Sequence, residues 1–510
     1  MAQDEIFKEL AARKAKALQM GGTEKLAERH NAGIMNARER LTYLLDAGSL
    51  KETGLLTFTI RPETRDRSPA DGKISGFGRI DGKPVALVAN DFTVLGASSS
   101  QINMKKMRHM KRVASGQGMP LILLGESSGG RMPDRMGAQG RSTIGQDPYE
   151  YRRLRESPWV SALMGDCYGS STWYSCMSDF VVMRKGAIMA VSSPRVTSLA
   201  INQPIDPEEL GGWRLHTETT GLIDLACDTD QEVLDAVKAF LSYLPGHQNE
   251  PPPAAEAAQP RLPEDRILQL LPESRAQVYD VRKILDCIVD GDSLFELKGR
   301  FGRALVTALA RIDGKSVGLI ANNPLHRGGA IDPDACDKAV SFMVLCDSFN
   351  VPLVFMVDVP GFMIGLEGER KRAPGKIMNW MNAMALCTVP KISVIMRKSY
   401  GQAYLNMGGG QNSDEVAAWP TADLGFMDPR LAVNVLYGVK ADAEPERFRE
   451  LADTLGRDAA VWDLAGLYEA QDVIEPQATR EYLIRTLEVY RSRLRNGVGR
   501  HLLGNWPTSY

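Results

Sequence analysis

Two short glycine turns carry the residues of this chain with the clearest chemical potential. One reads Cys167-Tyr168-Gly169-Ser170-Ser171, and the other reads Ser399-Tyr400-Gly401-Gln402-Ala403-Tyr404. A glycine turn that leads from a buried strand into a helix exposes backbone N–H groups. Two such groups can bind an oxygen that becomes negatively charged during a reaction, as in an oxyanion hole. The alternative is that these glycines serve only tight packing of helix on strand, and spacing alone does not separate the two interpretations.

Other catalytic patterns match less well. Ser127 and Ser128 lie in the segment GESSGG, which lacks the G-x-S-x-G pattern of a nucleophile elbow. No phosphate-binding P-loop occurs, and Gly408-Gly409-Gly410 is interpreted as a flexible turn. The six histidines form no zinc-binding pattern and no C-x-x-C occurs, so we expect no metal site. Cys167 is interpreted as a small buried hydrophobic residue and not as a nucleophile.

The sequence contains a long internal repeat. Residues 79–90 (RIDGKPVALVAN) and residues 311–322 (RIDGKSVGLIAN) agree at nine of twelve positions, at an offset of 232 residues. The two glycine turns recur at the same offset, as do Gly129 and Gly361. This offset indicates a duplicated domain and not a solenoid, whose repeats are about 20–50 residues long.

Each half of the repeat alternates apolar strand patterns with helix patterns. An Asp-Gly turn at 81–82 predicts a hairpin before a strand at 85–89. The other predicted elements are helices at 101–116, 334–349 and 374–387 and strands at 120–124, 160–165, 317–321, 352–357 and 391–396. Short apolar strands separated by helices are typical of a buried sheet in an α/β fold. Ligands of such folds collect at the carboxyl ends of strands, where both glycine turns lie.

A proline-rich segment separates the two halves. Residues 246–263 read GHQNEPPPAAEAAQPRLP and show no apolar period, which is typical of a semi-extended spacer. We therefore expect a first domain at 1–248, a linker at 249–263 and a second domain at 264–510.

Composition narrows the function classes. The chain has 510 residues, of which 44% are hydrophobic and 24% are charged, and its formal net charge is −2. This balance argues against nucleic acid or an anionic membrane as a partner of the whole surface. No stretch approaches the roughly 20 apolar residues of a membrane-spanning helix. The charged N-terminal segment predicts an amphipathic helix with Ile6, Leu10 and Leu18 among its apolar positions, and not a secretory signal. Seven scattered cysteines indicate reduced thiols, so a cytoplasmic location is expected.

Several longer segments are distinctive of one family. The most specific lie in the second half, namely NNPLHRGGAIDPDACDKAVSFMVLCDSFNVPLVFMVDVPGFMIG (322–365), VPKISVIMRKSYGQAYLNMG (389–408) and AWPTADLGFM (418–427). The first half adds ARERLTYLLDAGSL (37–50), SGFGRIDGKPVALVANDFTVLGAS (75–98), ESSGGRMPD (126–134) and PEELGGWRLH (207–216). Over nearly its whole length the chain resembles the carboxyltransferase (β) subunits of biotin-dependent acyl-CoA carboxylases, the propionyl-CoA/acetyl-CoA carboxylase family.

The resemblance implies a duplicated crotonase-like fold, in which the first domain holds an acyl-CoA and the second holds carboxybiotin. It also implies a homohexamer, with the active site between the first domain of one subunit and the second domain of another. The chain has no Met-Lys-Met biotinylation motif, and neither a carrier domain nor a biotin carboxylase domain fits in it. A biotin carboxylase and biotin carrier subunit is therefore expected as a partner in trans.

The resemblance assigns each glycine turn to one reactant. Gly169, Ser170 and Ser171 would bind the enolate oxygen of the acyl-CoA. Gly401, Gln402 and Ala403 would bind the carbonyl of biotin. The ureido nitrogen of biotin accepts the α-proton, so no histidine base is required.

Further substrate contacts follow from the same resemblance. They are Gly129, Gly130, Tyr404 and Leu405, with Leu405 as an apolar wall for an aliphatic acyl chain. The phosphates of CoA need cations, for which the candidates are Arg38, Arg40, Lys105 and Lys106. The alternative for each cation is a solvated position on a basic helix face.

Two positions depart from the family pattern. A glycine is common where this chain has Ser170 and Gln402, and both residues would be strained if the turn needed a positive φ there. Three other functions stay open. A decarboxylase or transcarboxylase subunit would use the same site in another direction, a crotonase-type hydratase or isomerase would use Glu126 without biotin, and a scaffold would have no activity.

Overall fold

Two sheets organise the chain, and each belongs to its own compact unit. The computed structural model describes residues 3–142, 152–457 and 459–507. The first unit is Met1–Asn249 and the second is Glu250–Tyr510. In these described ranges each unit contains an eight-stranded sheet of mixed direction.

The first sheet has an antiparallel edge and a parallel body. Its strands are β1 (Lys51–Thr53), β2 (Lys73–Ile80), β3 (Lys83–Asn90), β4 (Leu121–Ser127), β5 (Trp159–Tyr168), β6 (Phe180–Arg184), β7 (Ile188–Ala190) and β8 (Leu225–Cys227). They are ordered β1-β2-β3-β4-β5-β6-β8, and β7 pairs with β5 beyond the end of β6. The pairs β1–β2 and β2–β3 are antiparallel, and the pairs from β3 onward are parallel. The parallel strands bring the ends of β4 and β5 to the same edge of the sheet.

Helices cover this sheet. They are α1 (Gln3–Leu18), α2 (Thr23–Asn31), α3 (Ala37–Leu44), α4 (Gln101–Gln117), α5 (Met132–Arg135), α6 (Gly137–Ser142), α7 (Ser170–Cys176), α8 (Pro194–Ile201), α9 (Pro207–Gly211) and α10 (Asp230–Tyr243). Helix α4 begins at a capping box formed by Ser100 and Asn103. Its Met104, Met107 and Met110 pack in the apolar core that also contains residues of β3 and β4. Helix α4 thereby fixes the strands that precede the first glycine turn.

The second sheet repeats the topology of the first. Its strands are β9 (Phe295–Leu297), β10 (Leu305–Ile312), β11 (Lys315–Asn322), β12 (Leu353–Val359), β13 (Lys391–Tyr400), β14 (Glu415–Ala418), β15 (Asp423–Gly425) and β16 (Asp472–Val473). They are ordered β9-β10-β11-β12-β13-β14-β16, and β15 pairs with β13. Each strand of the second unit therefore has a counterpart at the same place in the first, which agrees with the repeat seen in the sequence.

The helices of the second unit complete this repeat. They are α11 (Ile267–Leu270), α12 (Val281–Leu285), α13 (Pro333–Ser348), α14 (Leu366–Arg370), α15 (Ala373–Leu386), α16 (Gln402–Asn406), α17 (Pro429–Tyr437), α18 (Pro445–Leu455), α19 (Val461–Gly466) and α20 (Thr479–Arg491). The helices predicted at 101–116, 334–349 and 374–387 are confirmed as α4, α13 and α15. The predicted strands are confirmed as β3, β4, β5, β11, β12 and β13, each of which is longer than predicted.

The Asp-Gly hairpin predicted at 81–82 is confirmed, and the second unit has the same turn at 313–314. Asp81 and Gly82 have φ values of 49° and 75°, and Asp313 and Gly314 have φ values of 55° and 71°. Two consecutive positive φ values are characteristic of a type I′ turn, whose twist matches that of the flanking strands. The turn therefore fixes the register of β2 with β3 and of β10 with β11.

The proline-rich segment packs on the second unit. Ala254 forms a β-bridge with Lys315, and the Ala255 N–H donates to the carbonyl of Gly314 at 2.8 Å. The Gly291 N–H also donates to the carbonyl of Gln259 at 2.9 Å. This part of the segment is extended and hydrogen-bonded to the hairpin of the second sheet.

The N-terminal helix presents its apolar side chains to solvent. Helix α1 forms as predicted, but Ile6, Leu10 and Leu18 are between 38% and 52% exposed. Ala17 is the residue of this helix that is buried. Among the described residues, every helix is too short or too polar to cross a lipid bilayer.

Candidate active site

The first glycine turn joins the end of β5 to the start of α7. Gly169 has φ 64° and ψ −119°, a combination that an L-residue with a Cβ strongly disfavours. Ser170 follows as the first residue of α7 and is absent from the non-glycine residues with positive φ. The turn therefore requires glycine at one position and tolerates a side chain at the next.

The second turn, between β13 and α16, has the same backbone form. Gly401 has φ 62° and ψ −148°, and Gln402 is the first residue of α16. Gln402 also lies outside the set of non-glycine residues with positive φ. The strain considered for Ser170 and Gln402 does not arise, because the positive φ falls on the glycine before each of them.

Both turns leave backbone donors without helical partners. The first N–H groups of a helix have no acceptor inside it. In α7 these groups include those of Ser170 and Ser171, and in α16 those of Gln402 and Ala403. The first bond back to the turn comes later, from the Tyr404 N–H to the carbonyl of Gly401 at 3.1 Å. Each turn can thus offer two adjacent N–H groups to one oxygen atom.

A second glycine segment lies against the first turn. A Cβ built on Gly169 would have the Cα of Gly129 as its nearest neighbour, at 4.0 Å. The Ser99 N–H donates to the carbonyl of Gly129 at 2.8 Å, and Ser99 forms a parallel bridge with Gly130. The hydroxyls of Ser99 and Ser170 are 2.5 Å apart. The structure therefore brings Gly129, Gly130, Gly169 and Ser170 together.

Ser99 lies at the first turn, and the sequence pattern did not predict it there. It lies in the run Ser98-Ser99-Ser100 immediately before α4, and Ser100 caps that helix. A cap signal was visible in the sequence, but it concerns Ser100 alone. Nothing in the spacing placed Ser99 beside a turn 70 residues later.

The corresponding segment of the second unit is apolar. Ile331 takes the place of Ser99, and its N–H donates to the carbonyl of Gly361 at 3.1 Å. Ile331 also forms a parallel bridge with Phe362. The two turns therefore have the same backbone conformation but differ in the side chains beside them, which are hydroxyls at the first turn and an isoleucine at the second.

Tyr404 and Leu405 lie on α16 and face the glycine run that follows it. The Tyr404 hydroxyl accepts from the Gly410 N–H at 2.7 Å and donates to Glu469 at 3.3 Å. Leu405 is half-buried, with its side chain near Gly410. Gly408-Gly409-Gly410 is thus held by Tyr404, since a Cβ on Gly409 would overlap the tyrosine ring.

Comparison with known proteins decides the family. A model of the carboxyl transferase domain matches residues 28–501. The chain is 34% identical over 508 residues to the propionyl-CoA carboxylase carboxyltransferase subunit of Haloferax mediterranei, covering 97% of each. It is 32% identical over 495 residues to the methylmalonyl-CoA carboxyltransferase 12S subunit of Propionibacterium freudenreichii subsp. shermanii, covering 95% of this chain and 94% of that protein. A structure of transcarboxylase 12S, a hexamer assembly with methylmalonyl-CoA and methylmalonic acid bound, matches with a TM-score of 0.89 and 31% identity over 97% of each chain.

The chain belongs to the carboxyl transferase family. The resemblance seen in the sequence is confirmed, and the two α/β units are copies of a crotonase-like fold. The protein is an enzyme of the carboxyltransferase type found in acyl-CoA carboxylases and transcarboxylase.

Glu126 of this carboxyltransferase is engaged in a buried ion-pair network. Its two carboxylate oxygens accept from Arg29 at 2.8 Å each, and one also accepts from Arg40 at 2.6 Å. Arg40 is itself 1% exposed and binds Asp230 at 3.0 Å. Burial acts to raise the pKa of Glu126, but Arg40 and Arg29 outweigh it and hold that pKa below its ordinary value. An ionised and fully paired carboxylate is a poor general acid or base. This disfavours the hypothesis of a crotonase-type hydratase or isomerase that uses Glu126.

The structure corrects one expected phosphate contact. Lys106 is buried on the inner face of α4, and its ammonium donates to the carbonyls of Ala70 at 3.0 Å, Gly54 at 3.2 Å and Lys73. Burial lowers the pKa of Lys106 to about 8. Its donors are committed to the backbone, so Lys106 holds the fold together and does not reach a phosphate.

The other expected cations differ in availability. Arg38 is partly buried and bound by two hydrogen bonds to Glu52, at 3.0 and 3.3 Å. Arg40 is committed to the network around Glu126. Lys105 is exposed on α4 and is the most accessible of the four.

Residues of other catalytic types lie in structural positions. His216 is buried between the carbonyl of Met189 at 2.7 Å and the hydroxyl of Thr220 at 3.0 Å, and burial lowers its pKa. Cys167 is fully buried, and burial raises the pKa of its thiol well above the ordinary value. No cluster of three or more metal-ligating side chains occurs in the part of the chain that the structure describes.

Proposed function

We propose that this carboxyltransferase moves a carboxyl group from carboxybiotin to the α-carbon of an acyl-CoA. The acyl-CoA binds at the first turn, in the domain at 1–248, and biotin binds at the second turn, in the domain at 264–510. One observation carries the proposal: Gly169 and Gly401 have similar backbone conformations with positive φ at equivalent strand ends. Each of them precedes a helix whose first N–H groups have no acceptor inside that helix. A reaction with two developing anions needs two such sites.

At the first turn, the thioester oxygen of the acyl-CoA accepts hydrogen bonds from the N–H groups of Ser170 and Ser171. When the α-proton leaves, negative charge moves onto this oxygen and the same bonds strengthen. Gly169 fixes both donors before the substrate arrives, so no reorganisation is needed during the reaction. Loss of one preorganised donor of this kind costs about 3–4 kcal/mol of transition-state stabilisation. Gly129 and Gly130 leave the opposite wall without side chains, which keeps room for the substrate.

The residues of the second turn fit the ureido group of biotin. A ureido carbonyl needs hydrogen-bond donors, and the N–H groups of Gln402 and Ala403 supply two. Ser399 Oγ, two residues earlier, is buried and has no hydrogen-bond partner among the described residues, so a polar atom is available beside the turn. When bound, biotin supplies the carboxyl group and a nitrogen that accepts the α-proton. The chain itself then needs only to orient the two reactants and to stabilise the charges on their oxygens.

The biotin is carried by a separate protein in this proposal. The relative from Haloferax mediterranei, which this chain covers to 97%, is named as a carboxyltransferase subunit. By analogy with this relative, the chain works with a biotin carboxylase and biotin carrier partner that delivers the biotin.

Self-association is part of the same proposal. Helices α8 and α17 occupy equivalent places in the two units, and each exposes large apolar side chains by half or more, namely Val196, Leu199, Ile201, Leu431, Val435 and Leu436. Contiguous exposed apolar faces mark protein–protein contacts. The matched transcarboxylase 12S structure is a hexamer assembly. We therefore expect six 56.0 kDa chains per particle, which light scattering after gel filtration measures.

The direction of transfer depends on the partner proteins. The same two turns stabilise the same anions whether the carboxyl group enters or leaves the acyl-CoA. The 32% identity to the methylmalonyl-CoA carboxyltransferase 12S subunit supports a transcarboxylase as the second candidate function. Dependence on ATP in the presence of all partners would distinguish a carboxylase from a transcarboxylase.

The first test is decarboxylation of malonyl-CoA and methylmalonyl-CoA by the purified chain, with and without free biotin or a biotinylated carrier. We expect turnover that requires biotin. The Ala403→Pro variant deletes one N–H of the second turn, and proline is tolerated in the first turn of a helix. We expect its turnover to fall about a hundredfold or more, the cost of one oxyanion-hole donor.

The matched control is Gln231→Pro. Gln231 is exposed and is the second residue of α10, just as Ala403 is the second residue of α16. This variant should keep wild-type turnover, because its lost N–H serves no reactant. Wild-type turnover that proceeds equally well without biotin would contradict the proposed function.

A further inference from the structure

A lysine is buried beside the first turn. Lys73 is the first residue of β2, is 3% exposed, and pairs in register with Asn90, the last residue of β3. Its ammonium donates to the Asn90 side-chain oxygen at 2.7 Å. Within residues 3–142, 152–457 and 459–507 this amide oxygen is the one hydrogen-bond acceptor of Lys73, although an ammonium carries three donors.

Asn90 connects this lysine to the turn. The Asn90 Nδ2 donates to the Ser171 hydroxyl at 3.5 Å. Ser171 is the second residue of α7 and supplies one of the two proposed N–H donors of the acyl-CoA site. Hydrogen bonds of catalytic groups are often long in the absence of substrate and shorten in the complex. Lys73, Asn90 and Ser171 thus form a buried polar chain that ends at the site.

The carboxylate that acts electrostatically on Lys73, Asp71, is already paired with Arg131. Asp71 accepts from Arg131 at 2.5 Å and from the Asn103 N–H at 3.1 Å, as well as from the Ser100 hydroxyl. The charged and titratable groups that act electrostatically on Lys73 are Asp71, Arg131, Lys106 and Cys167. Two of these are cations and Cys167 is a buried neutral thiol, so the surroundings do not balance the charge of Lys73. Burial lowers the pKa of Lys73 to about 7. A buried cation of this kind is compensated when a negative charge develops nearby.

The duplication distinguishes structural lysines from this one. Lys106 and Lys338 are equivalent across the repeat, and each donates to three backbone carbonyls. They occur in both units because both copies of the fold need them. In the buried lysines with a structural role, backbone carbonyls therefore accept hydrogen bonds from all three ammonium donors. This is not the case for Lys73.

The second unit lacks the chain that begins at Lys73. Leu305 stands at the equivalent position on β10, and Ala403 stands where the first unit has Ser171. Asn322 keeps the asparagine, but its side-chain oxygen accepts from the Asp358 N–H at 3.1 Å. The fold therefore does not require the lysine, and its presence is specific to the turn assigned to the acyl-CoA.

We propose that Lys73 is a positioning residue for enolate formation, whose ammonium group fixes Asn90 and, through it, Ser171 at the oxyanion hole of the first unit. This inference rests on the proposed function of the first turn. It explains why a cation is buried at one of two otherwise equivalent sites. Lys73 acts through Asn90 and Ser171 and does not itself touch the substrate.

The test compares Lys73→Met with wild type in the biotin-dependent decarboxylation of methylmalonyl-CoA. We expect kcat to fall about tenfold or more, as for the partial loss of an oxyanion-hole interaction. The KM for free biotin should stay at the wild-type value, because the second unit is untouched. The matched control is Lys315→Met, an exposed lysine at the start of β11, which should leave both constants unchanged. Thermal melts of all variants show whether a loss of kcat arises from unfolding.

A double-mutant cycle tests the connection through Asn90. If Lys73 acts through the amide, the Lys73→Met/Asn90→Ala double variant should have the same kcat as Asn90→Ala alone. Independent, multiplying effects of the two substitutions would show that Lys73 does not work through Asn90. That result would overturn the inference.

A pH profile provides a readout that a structural role would not change. The ammonium form of Lys73 is lost as the pH rises through about 7. Wild-type kcat should therefore contain a component that declines above that pH. The kcat of Lys73→Met should be low and should show no such decline. The kcat of Lys73→Arg should also show no decline but should be higher than that of Lys73→Met, because arginine keeps its charge.

The possible outcomes separate the two proposals. Wild-type protein without biotin-dependent turnover would contradict the proposed function itself. Active wild-type protein with an unchanged kcat and pH profile in Lys73→Met would refute the role of Lys73 alone. A parallel fall of melting temperature and of kcat, with an unaltered pH profile, would make Lys73 a structural residue and would also refute the inference.

Discussion

Replacing Gly169 by alanine isolates the backbone of the first turn from its side chains. A Cβ at this position meets no atom closer than the Gly129 Cα at 4.0 Å, so the substitution introduces no steric clash. Its entire effect comes from the φ of 64° and ψ of −119° that an alanine must adopt or abandon. A residue held in such a region costs about 1–3 kcal/mol.

This strain can be expressed in two ways, and both are measurable. If the turn keeps its conformation, the free energy of unfolding falls by about 1–3 kcal/mol and kcat is retained. If the turn relaxes, the N–H groups of Ser170 and Ser171 rotate away from the thioester oxygen. Loss of one donor corresponds to about 100-fold to 1,000-fold in kcat. Because α7 has only seven residues, we expect relaxation of the turn and a fall in kcat of at least about tenfold.

The assay is biotin-dependent decarboxylation of methylmalonyl-CoA, with kcat and both KM values determined for each variant. Gly169→Ala should leave the KM for free biotin unchanged. Gly401→Ala provides the counterpart at the second turn, where a Cβ would also approach the Phe426 carbonyl oxygen at 3.1 Å. Gly116→Ala on the exposed side of α4 is the control, since no atom lies within 4 Å of its Cβ and alanine favours a helix by about 0.5–1 kcal/mol.

A Gly169→Ala enzyme with wild-type kcat and wild-type stability would refute the claim that this turn requires glycine to position its N–H groups. Equal effects of Gly169→Ala and Gly401→Ala on the KM for biotin would refute the assignment of one reactant to each turn. A loss of stability alone would show that the turn is rigid enough to carry the strain.

Two further predictions concern buried charges. Glu126→Gln should lower the free energy of unfolding by about 3 kcal/mol, because it removes one ion-pair partner of the buried Arg40. If Glu126 were a general base, the same substitution would lower kcat about 10²–10⁴-fold. Denaturant titration measures the first effect, and turnover of the folded enzyme measures the second. Burial lowers the pKa of Lys338 to about 7, whereas the ordinary value is 10.5. Between these two values the unfolded chain binds a proton that the native protein does not, so Lys338 makes stability rise with pH. Lys338→Met should flatten this rise in denaturation midpoints measured across the alkaline range, and an unchanged slope would contradict the assignment.

The sequence alone predicted the parts of the fold that depend on local pattern. The offset of 232 residues between the two halves predicted one topology used twice, which the two sheets show. The Asp-Gly pair at 81–82 predicted a hairpin, since few other residues adopt the two consecutive positive φ values that its turn has. Both glycine turns were predicted at the ends of strands, since a glycine after an apolar run is a strong signal. The places of Gly169 and Gly401 in the fold could therefore be predicted from the sequence.

The surroundings of individual side chains were predicted less accurately than the helices, strands and turns. Lys106 was expected to reach a phosphate, yet it lies on the same face of α4 as Asn103, Met107 and Met110. That spacing of three and four residues is the signal of an inward-facing position, which would have shown Lys106 to be buried. No comparable signal joins Ser99 to Ser170, because that contact depends on how β4 and β5 align.

The two turns differ in the way that their proposed anions differ. A thioester enolate carries most of its negative charge on one oxygen and the rest on the α-carbon, whereas a ureido anion shares its charge between oxygen and nitrogen. The first turn has two hydroxyls and a buried amide–lysine pair nearby, and the second has Ile331 and Leu305 at the equivalent positions. Electrostatic support is worth most where the charge is most localised and water is excluded. Duplication allowed one backbone to keep both sets of N–H donors while the side chains around each set diverged. Lys73→Met should therefore impair the acyl-CoA half of the reaction, and placing a lysine at Leu305 should not improve the biotin half.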